Sequence, residues 1–310
     1  VDMYLDPLIL IETVIKGLMA GVLYSLVALG FVLIFKASGV FNFAQGVMAL
    51  FAALTLTGIM EYMPDGLPKW LVIVASLGIT VVIMILLAVI IERVVLRPLV
   101  NQELIILFMA TLGLSYVLEG AGDLMWGSDV KVLDIGLPSG ASDYLLDNYN
   151  LYIEKLEIVA AVVAAVLVVV LAFFFQKTRV GRALRAVADD HQAALSIGIS
   201  LRGIWRIVWS VSGFVALVAG IMWGSKSGVQ FSLSLIALKA LPVLILGGFT
   251  SIPGAIVGGL IIGVGEKVAE IYAGPYIGSA IENWFAYILA LAFLLVRPQG
   301  LFGEKIIERV

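Results

Sequence analysis

Eight stretches of this chain are apolar for long enough to cross a lipid bilayer. They run at about 8–35, 42–60, 70–91, 104–126, 156–175, 204–224, 236–270 and 280–296. A spanning helix needs roughly 20 predominantly apolar residues. Composition agrees: 62% of residues are hydrophobic, only 13% are charged, and mean hydropathy is +1.12. A soluble domain is about half apolar and about a quarter charged. The expected fold class is therefore all-α, a polytopic membrane protein of about eight transmembrane helices, with residues 1–310 forming one transmembrane domain. The seventh stretch is too long for one pass. It is interrupted by "GGFTSIPG", residues 247–254, where Pro253 and three glycines disfavour a continuous helix. Two shorter pieces meeting at a turn are expected there, either re-entrant or crossing. The first stretch, about 40 Å long by helical rise, must be tilted, broken or partly outside the membrane.

The same composition excludes several functions. The chain has no Cys, so a disulfide, a thiolate nucleophile and a Cys metal site are impossible, and a single His rules out a histidine metal cluster. An intramembrane enzyme would need a carboxylate pair, and Glu119 with Asp123 lies near a span end. No G-x-x-x-x-G-K-[ST] occurs, so no P-loop holds ATP here. No cofactor is expected. The net charge of −3, without a basic stripe, gives nucleic acid no footing. The N-terminus carries Asp2, Asp6 and Glu12 instead of a basic start, so the first span is expected to serve as its own uncleaved address.

Orientation follows from Lys and Arg in the short loops, which stay cytoplasmic. Residues 176–206 hold Lys177, Arg179, Arg182, Arg185, Arg202 and Arg206; the tail holds Arg297, Lys305 and Arg309; "ERVVLRPL" holds Arg93 and Arg97. All three regions are expected inside. Crossing counts then place the N-terminus outside and favour two passes for the interrupted segment. The loop 127–155 falls outside, with Asp129, Asp134, Asp143 and Asp147.

Within 180–198, Arg182, Arg185 and Asp189 recur at i, i+3 and i+7 on one face of an expected cytoplasmic amphipathic helix, which Gly198 can stop. Such a helix either lies among lipid headgroups or carries a partner. His191 reads as a solvated contact residue of that helix. In "GVFNFAQGVMAL", Asn42 and Gln45 are three apart, on one helical face with Gly46 and Ala49 beside them. Polar side chains inside a membrane tie helices together or face a cavity. Phe43 is either a gate or packing. In "GGFTSIPGAIVGG", Gly254/Gly258 and Gly259/Gly263 are G-x-x-x-G pairs suited to close helix packing. The turn at Thr250, Ser251 and Pro253 frees backbone groups that survive only against protein or water. Broken helices of this kind build transport sites or hinges. Lys239 reads as an interfacial residue, and Glu266 with Lys267 as a boundary pair.

Three blocks resemble one known family. "QAALSIG" is similar to the "EAA, three residues, Gly" loop of ABC importer permeases, with Gln192 in the Glu position. "RVGRALRAVADDHQAALSIGIS", "GFVLIFKASGVFNFAQGVMAL" and "LPVLILGGFTSIPGAIVGGLIIGVGE" resemble, in the family's own order, the branched-chain amino acid permeases among those importers. Gln45 stands where that family usually has His, and keeps a hydrogen-bonding amide that does not titrate near neutral pH.

The resemblance implies a permease subunit of the bacterial inner membrane. It would work with two ATPase subunits on the cytoplasmic face, a second permease subunit, commonly a paralogue, and a periplasmic substrate-binding protein. It also favours a substrate pathway at Asn42, Phe43, Gln45 and Gly46, and the broken helix makes Gly248, Thr250, Ser251 and Pro253 pathway-lining or hinge residues. ATPase coupling would fall in a loop at 176–203, at Gly181, Arg182, Arg185, Asp189, Ala193, Ala194 and Gly198. Branched-chain or other amino acids are the implied solutes. The competing expectation is a stand-alone secondary transporter or channel for a small amide such as urea.

Overall fold

The computed structural model describes residues 7–99, 102–278 and 280–303, without the side chain of His191. Asp2, Asp6, Lys305 and Arg309, used above for targeting and orientation, lie outside the described residues. Twelve α-helices follow one another among the described residues: α1 Pro7–Ser38, α2 Gln45–Tyr62, α3 Lys69–Ile90, α4 Leu104–Trp126, α5 Asp143–Tyr149, α6 Lys155–Lys177, α7 Arg179–Asp189, α8 His191–Ser196, α9 Leu201–Ser227, α10 Ile236–Gly247, α11 Ile252–Ile277 and α12 Phe285–Val296. A π-helical turn, Ile91–Leu96, prolongs α3, and 3-10 turns stand at Phe231–Leu235 and Ile281–Asn283. Among the described residues the only β pairing is two isolated bridges.

Among the described residues seven helices are long and apolar enough to cross a membrane: α1, α2, α3 with its π turn, α4, α6, α9 and α11. The expected eight thus becomes seven long helices and two short apolar ones, Phe231–Gly247 and Phe285–Val296. The difference comes from the division of 236–270 and from α12, whose 12 residues reach about 18 Å. α1 is unbroken over 32 residues, about 48 Å.

The polarity of these helices is inverted relative to a soluble fold. α3 buries Ser76, Thr80, Met84 and Ala88, one every fourth residue, and exposes Val74, Ile79, Val82, Ile85, Leu86 and Ile90. α4 buries Thr111, Ser115, Leu118 and Gly122 and exposes Leu104, Ile105, Met109 and Val117. On α6 the alanines Ala160 and Ala164 face inward while Val162, Val166 and Val169 face out. Small and hydroxylated residues inside with branched apolar residues outside is the pattern of helices solvated by lipid.

The packing divides into two units whose boundaries fall inside α1, α6 and α10 and in the loop between Ile135 and Gly136. One comprises Leu33–Ile135 and Ala172–Ala237, the other Val1–Val32, Gly136–Leu171 and Leu238–Val310. At the centre of the first lies α2, buried from Gln45 through Gly58. Glycines set how near its neighbours come: a Cβ on Gly220 of α9 would strike the Ala49 carbonyl, and one on Gly58 the Trp126 indole.

In the second unit α1 and α11 meet along a glycine seam. A Cβ on Gly17 would stand 2.6 Å from the Val264 Cα, and one on Gly21 2.7 Å from the Gly259 carbonyl oxygen. Ser25 Oγ donates to the carbonyls of Gly21 (2.8 Å) and Ile256 (3.1 Å). Gly258 turns to α10 instead, 2.7 Å from the Val243 carbonyl oxygen by the same measure. The two G-x-x-x-G pairs thus serve different partners.

The break itself is Gly248 to Ser251. Gly248 adopts φ +104°, a conformation only glycine takes without strain. Ser251 Oγ then caps α11 by accepting from the Gly254 N–H (3.0 Å), and Pro253 falls in the first turn, where no N–H is needed. The last carbonyls of α10 are taken by the segment after α12: Leu301 N–H donates to Leu246 (2.8 Å) and Phe302 N–H to Gly247 (3.2 Å). At the opposite end, Tyr287 Oη donates to the Leu238 carbonyl and Lys239 Nζ to that of Glu282, both at 2.6 Å. α10 and α12 therefore run the same way and α11 runs back between them. The interruption is a turn between two antiparallel helices, level with residues 299–303.

Candidate functional site

In the first unit, α1 ends at Ser38 and Gly39 reverses the chain at φ +68°. Asn42 does not lie on the helix face expected for it, because α2 begins only at Gln45. Its side chain forms a local turn instead, Oδ1 accepting from the Ala44 N–H at 3.1 Å. Asn42 Nδ2 then donates to Gln45 Oε1 (3.2 Å) and approaches Met48 Sδ (3.5 Å). Ser212 Oγ, on α9, donates to the same Gln45 oxygen at 2.6 Å, and Gln45 Nε2 returns a bond to the Ser212 carbonyl at 3.2 Å. Asn42 and Gln45 are 0% and 1% exposed, so this conformation spends both amides on protein.

Phe43 differs, being only partly buried. Its ring meets Phe41 and Phe108 edge-on, at 4.6 and 4.5 Å between centroids, and its N–H donates to Thr111 Oγ1 (3.4 Å). A Cβ on Gly46 would strike the Ser234 carbonyl, so glycine there lets the 3-10 turn Phe231–Leu235 lie against α2. Gly248, Thr250, Ser251 and Pro253 belong to the other unit, at the turn already described.

The 180–198 segment departs from the single helix expected there. It divides into α7 and α8 at Asp190, whose Oδ1 accepts from the N–H groups of Gln192 (2.8 Å) and Ala193 (3.0 Å) and starts a second helix. Arg185 does not project with Arg182 and Asp189. Its guanidinium donates to the carbonyls of Phe175 (2.8 Å) and Gln176 (3.2 Å), while Arg182 reaches the Lys177 carbonyl (3.2 Å). These are the orphan carbonyls at the C-terminus of α6, which a cation satisfies well. A Cβ on Gly181 would collide with the Phe175 carbonyl, so glycine allows α7 to fold against that end. Ala194 is buried; Asp189 and Ala193 are exposed, with Leu195 and Ile197 53% and 73% exposed. Gly198 takes φ +84° just after α8.

Several polar residues escaped the sequence reading. Ser212 and Thr111 sit in apolar helices with nothing local to mark them. Glu92 is fully buried and accepts from Arg206 Nε (2.9 Å) and Arg97 (3.3 Å). The signal was faint because Glu92 and Arg97 are five apart, and only a π turn brings such residues together. Lys239 is no isolated interfacial lysine: it pairs with Glu266 at 3.2 Å, and Tyr24 Oη donates to the same carboxylate at 2.9 Å. Glu266 and Lys267 do not form a boundary pair, since Lys267 binds Glu282 (2.6 Å). The polar clusters of the spans are thus charged as well as neutral. Among the described residues no group of three or more His, Cys, Asp or Glu could hold a metal.

Lipid-solvated helices, buried polar ties between them and a capped loop helix turned back on a span end define a multi-pass membrane protein. Residues 13–297 match the family described as branched-chain amino acid transport system / permease component, and the chain belongs to it. It is 29% identical over 315 residues, 97% of each chain, to the high-affinity branched-chain amino acid transport system permease protein LivH of Salmonella typhimurium. It is equally similar, over 308 residues, 97% of this chain and 98% of the relative, to BraD of Pseudomonas aeruginosa. The fructose import permease protein FruF of Bifidobacterium longum is 23% identical over 296 residues, 89% of this chain and 75% of its own.

Proposed function

We propose that this chain is the inner-membrane permease subunit of an ATP-driven importer for branched-chain amino acids. The observation that carries the reading is the family match across 13–297, with the amino-acid permeases nearer in identity than the sugar permease. The family is a component of a transport system, which speaks for a subunit and against a stand-alone channel for urea. Energy then comes from two ATPase subunits, substrate from a periplasmic binding protein, and the other half of the pore from a second permease, a paralogue.

The α7–α8 loop and the C-terminus face the cytoplasm and 127–155 faces outside in this reading, which the basic residues at 176–206 and Arg297 support. The turn at Gly248–Ser251 is level with 299–303 and so acts at the cytoplasmic end, as a hinge between α10 and α11. Phe43 lines the pathway. Asn42, Gln45 and Gly46 form the wall behind it, open to solute only when the amide network parts. On the coupling loop, Gly181, Arg182 and Arg185 fix α7 to α6, and Ala194 and Gly198 shape α8. Asp189, Ala193, Leu195 and Ile197 are left to meet an ATPase subunit. Purification from the native membrane in mild detergent tests the assembly. ATPase subunits should co-purify in stoichiometric amount, and a chain that purifies alone yet moves leucine would contradict the reading.

A further inference from the structure

Glu92 has no place in the solute wall or on the docking face, yet it is the carboxylate that binds two arginines at once. We propose that Glu92 is a positioning residue that pins the foot of α9, so that displacement of the α7–α8 loop reaches Ser212 and Gln45. This rests on the permease reading above.

α9 begins at Leu201, immediately after the loop, with its first turn capped by Ser200 Oγ accepting from the Gly203 N–H at 3.2 Å. In its next turn, Arg206 Nε donates to Glu92 at 2.9 Å, and Trp205 Nε1 donates to the Ala37 carbonyl at the end of α1, also at 2.9 Å. Ser212, six residues beyond Arg206, exchanges two hydrogen bonds with Gln45. Six residues of helix are about 9 Å of stiff rod. A movement that shifts the foot of α9 therefore shifts Ser212, provided that the ties to Glu92 and Ala37 keep the foot in register.

A buried carboxylate is a poor way to gain stability alone. Its desolvation offsets most of the Coulomb gain, and an apolar residue of similar volume often does as well. A buried carboxylate held by two arginines that reach it from partly exposed positions can instead fix the register between two elements. The backbone points the same way. The π turn that prolongs α3 carries the i+5 bond from Arg97 N–H to the Glu92 carbonyl at 2.9 Å, which sets Arg97 beside the carboxylate. Arg97 neutralises Glu92 within its own element. Arg206 ties it to another helix.

That asymmetry gives the test. Arg206→Gln and Arg97→Gln each remove one partner and leave Glu92 the other, so a merely structural carboxylate predicts like effects from both. The readouts, in the complex with its co-purified subunits and binding protein, are thermal stability, basal ATP hydrolysis and hydrolysis stimulated by leucine. Arg206→Gln is expected to keep assembly and basal hydrolysis and lose the leucine stimulation about tenfold, while Arg97→Gln keeps the stimulation. Arg206→Lys retains the charge without the planar fork and should give an intermediate value. Equal loss in Arg97→Gln and Arg206→Gln would overturn the proposal. So would native stimulation in Arg206→Lys, even where Arg206→Gln does not assemble. A native complex with no ATP-driven leucine uptake would contradict the permease reading itself.

Discussion

Gln45 shows how a single amide can be both a strut and a candidate wall of a pathway. Its oxygen accepts from Asn42 and Ser212 at once. Gln45→Leu leaves both donors buried without that acceptor, at about 1–3 kcal/mol for each unsatisfied group. We expect the variant to melt earlier and to take up less solute, measured side by side on the purified complex. Phe43 separates the two roles, because it is only partly buried and its side chain makes no polar bond. Phe43→Ala should cut uptake several-fold while the melting temperature stays near native; native uptake would remove Phe43 from the pathway.

The residues of this loop were legible in the sequence, since two amides between apolar runs stand out. Their geometry was not. A helical face was the natural reading for a spacing of three, and the local turn made by Asn42 is set by the Ala44 N–H and by the glycine at 39. Ser212 carried no signal, because a serine in an apolar helix satisfies itself on its own backbone as readily as it reaches a neighbour.

Whole helices were easier to see than their contacts. Hydropathy placed most long spans to within a few residues, although α11 runs on to Ile277, past the expected end at 270, and glycines with Pro253 located the break. Hidden from it were the direction in which Arg185 turns, the division of α7 from α8 and the pairing of Lys239 with Glu266. Each depends on a partner distant in sequence or on a cap competing with helix continuation at Asp190. Two expected outcomes belong here. Gly181→Val would force α7 off the Phe175 carbonyl. The permease should still insert, but ATPase subunits should be lost on purification, whereas retained subunits would free the coupling assignment from α7. Gly263→Leu drives a side chain into Gly17 and Gly21 across the α1–α11 seam. Overpacking of this kind costs about 1–3 kcal/mol or more, which a thermal melt of the purified chain should register; an unchanged melt would mean that the seam yields.

For the molecule as a whole, the absence of cysteine from the sequence makes the topology directly testable. A cysteine at Ser142 should react with an impermeant thiol reagent from outside the cell, and one at Ser196 should not; the reverse would overturn the orientation. Composition alone made this a membrane protein, and the order of three sequence blocks identified its relatives. The central claim is that this chain passes branched-chain amino acids only when separate subunits hydrolyse ATP. Its most direct test is leucine uptake by proteoliposomes that hold the complete complex and its binding protein, with ATP supplied or withheld on the ATPase side. The account predicts leucine accumulation above equilibrium with ATP, none without it, and none for urea. Leucine or urea equilibrating through the chain with no ATP and no ATPase subunit would contradict it.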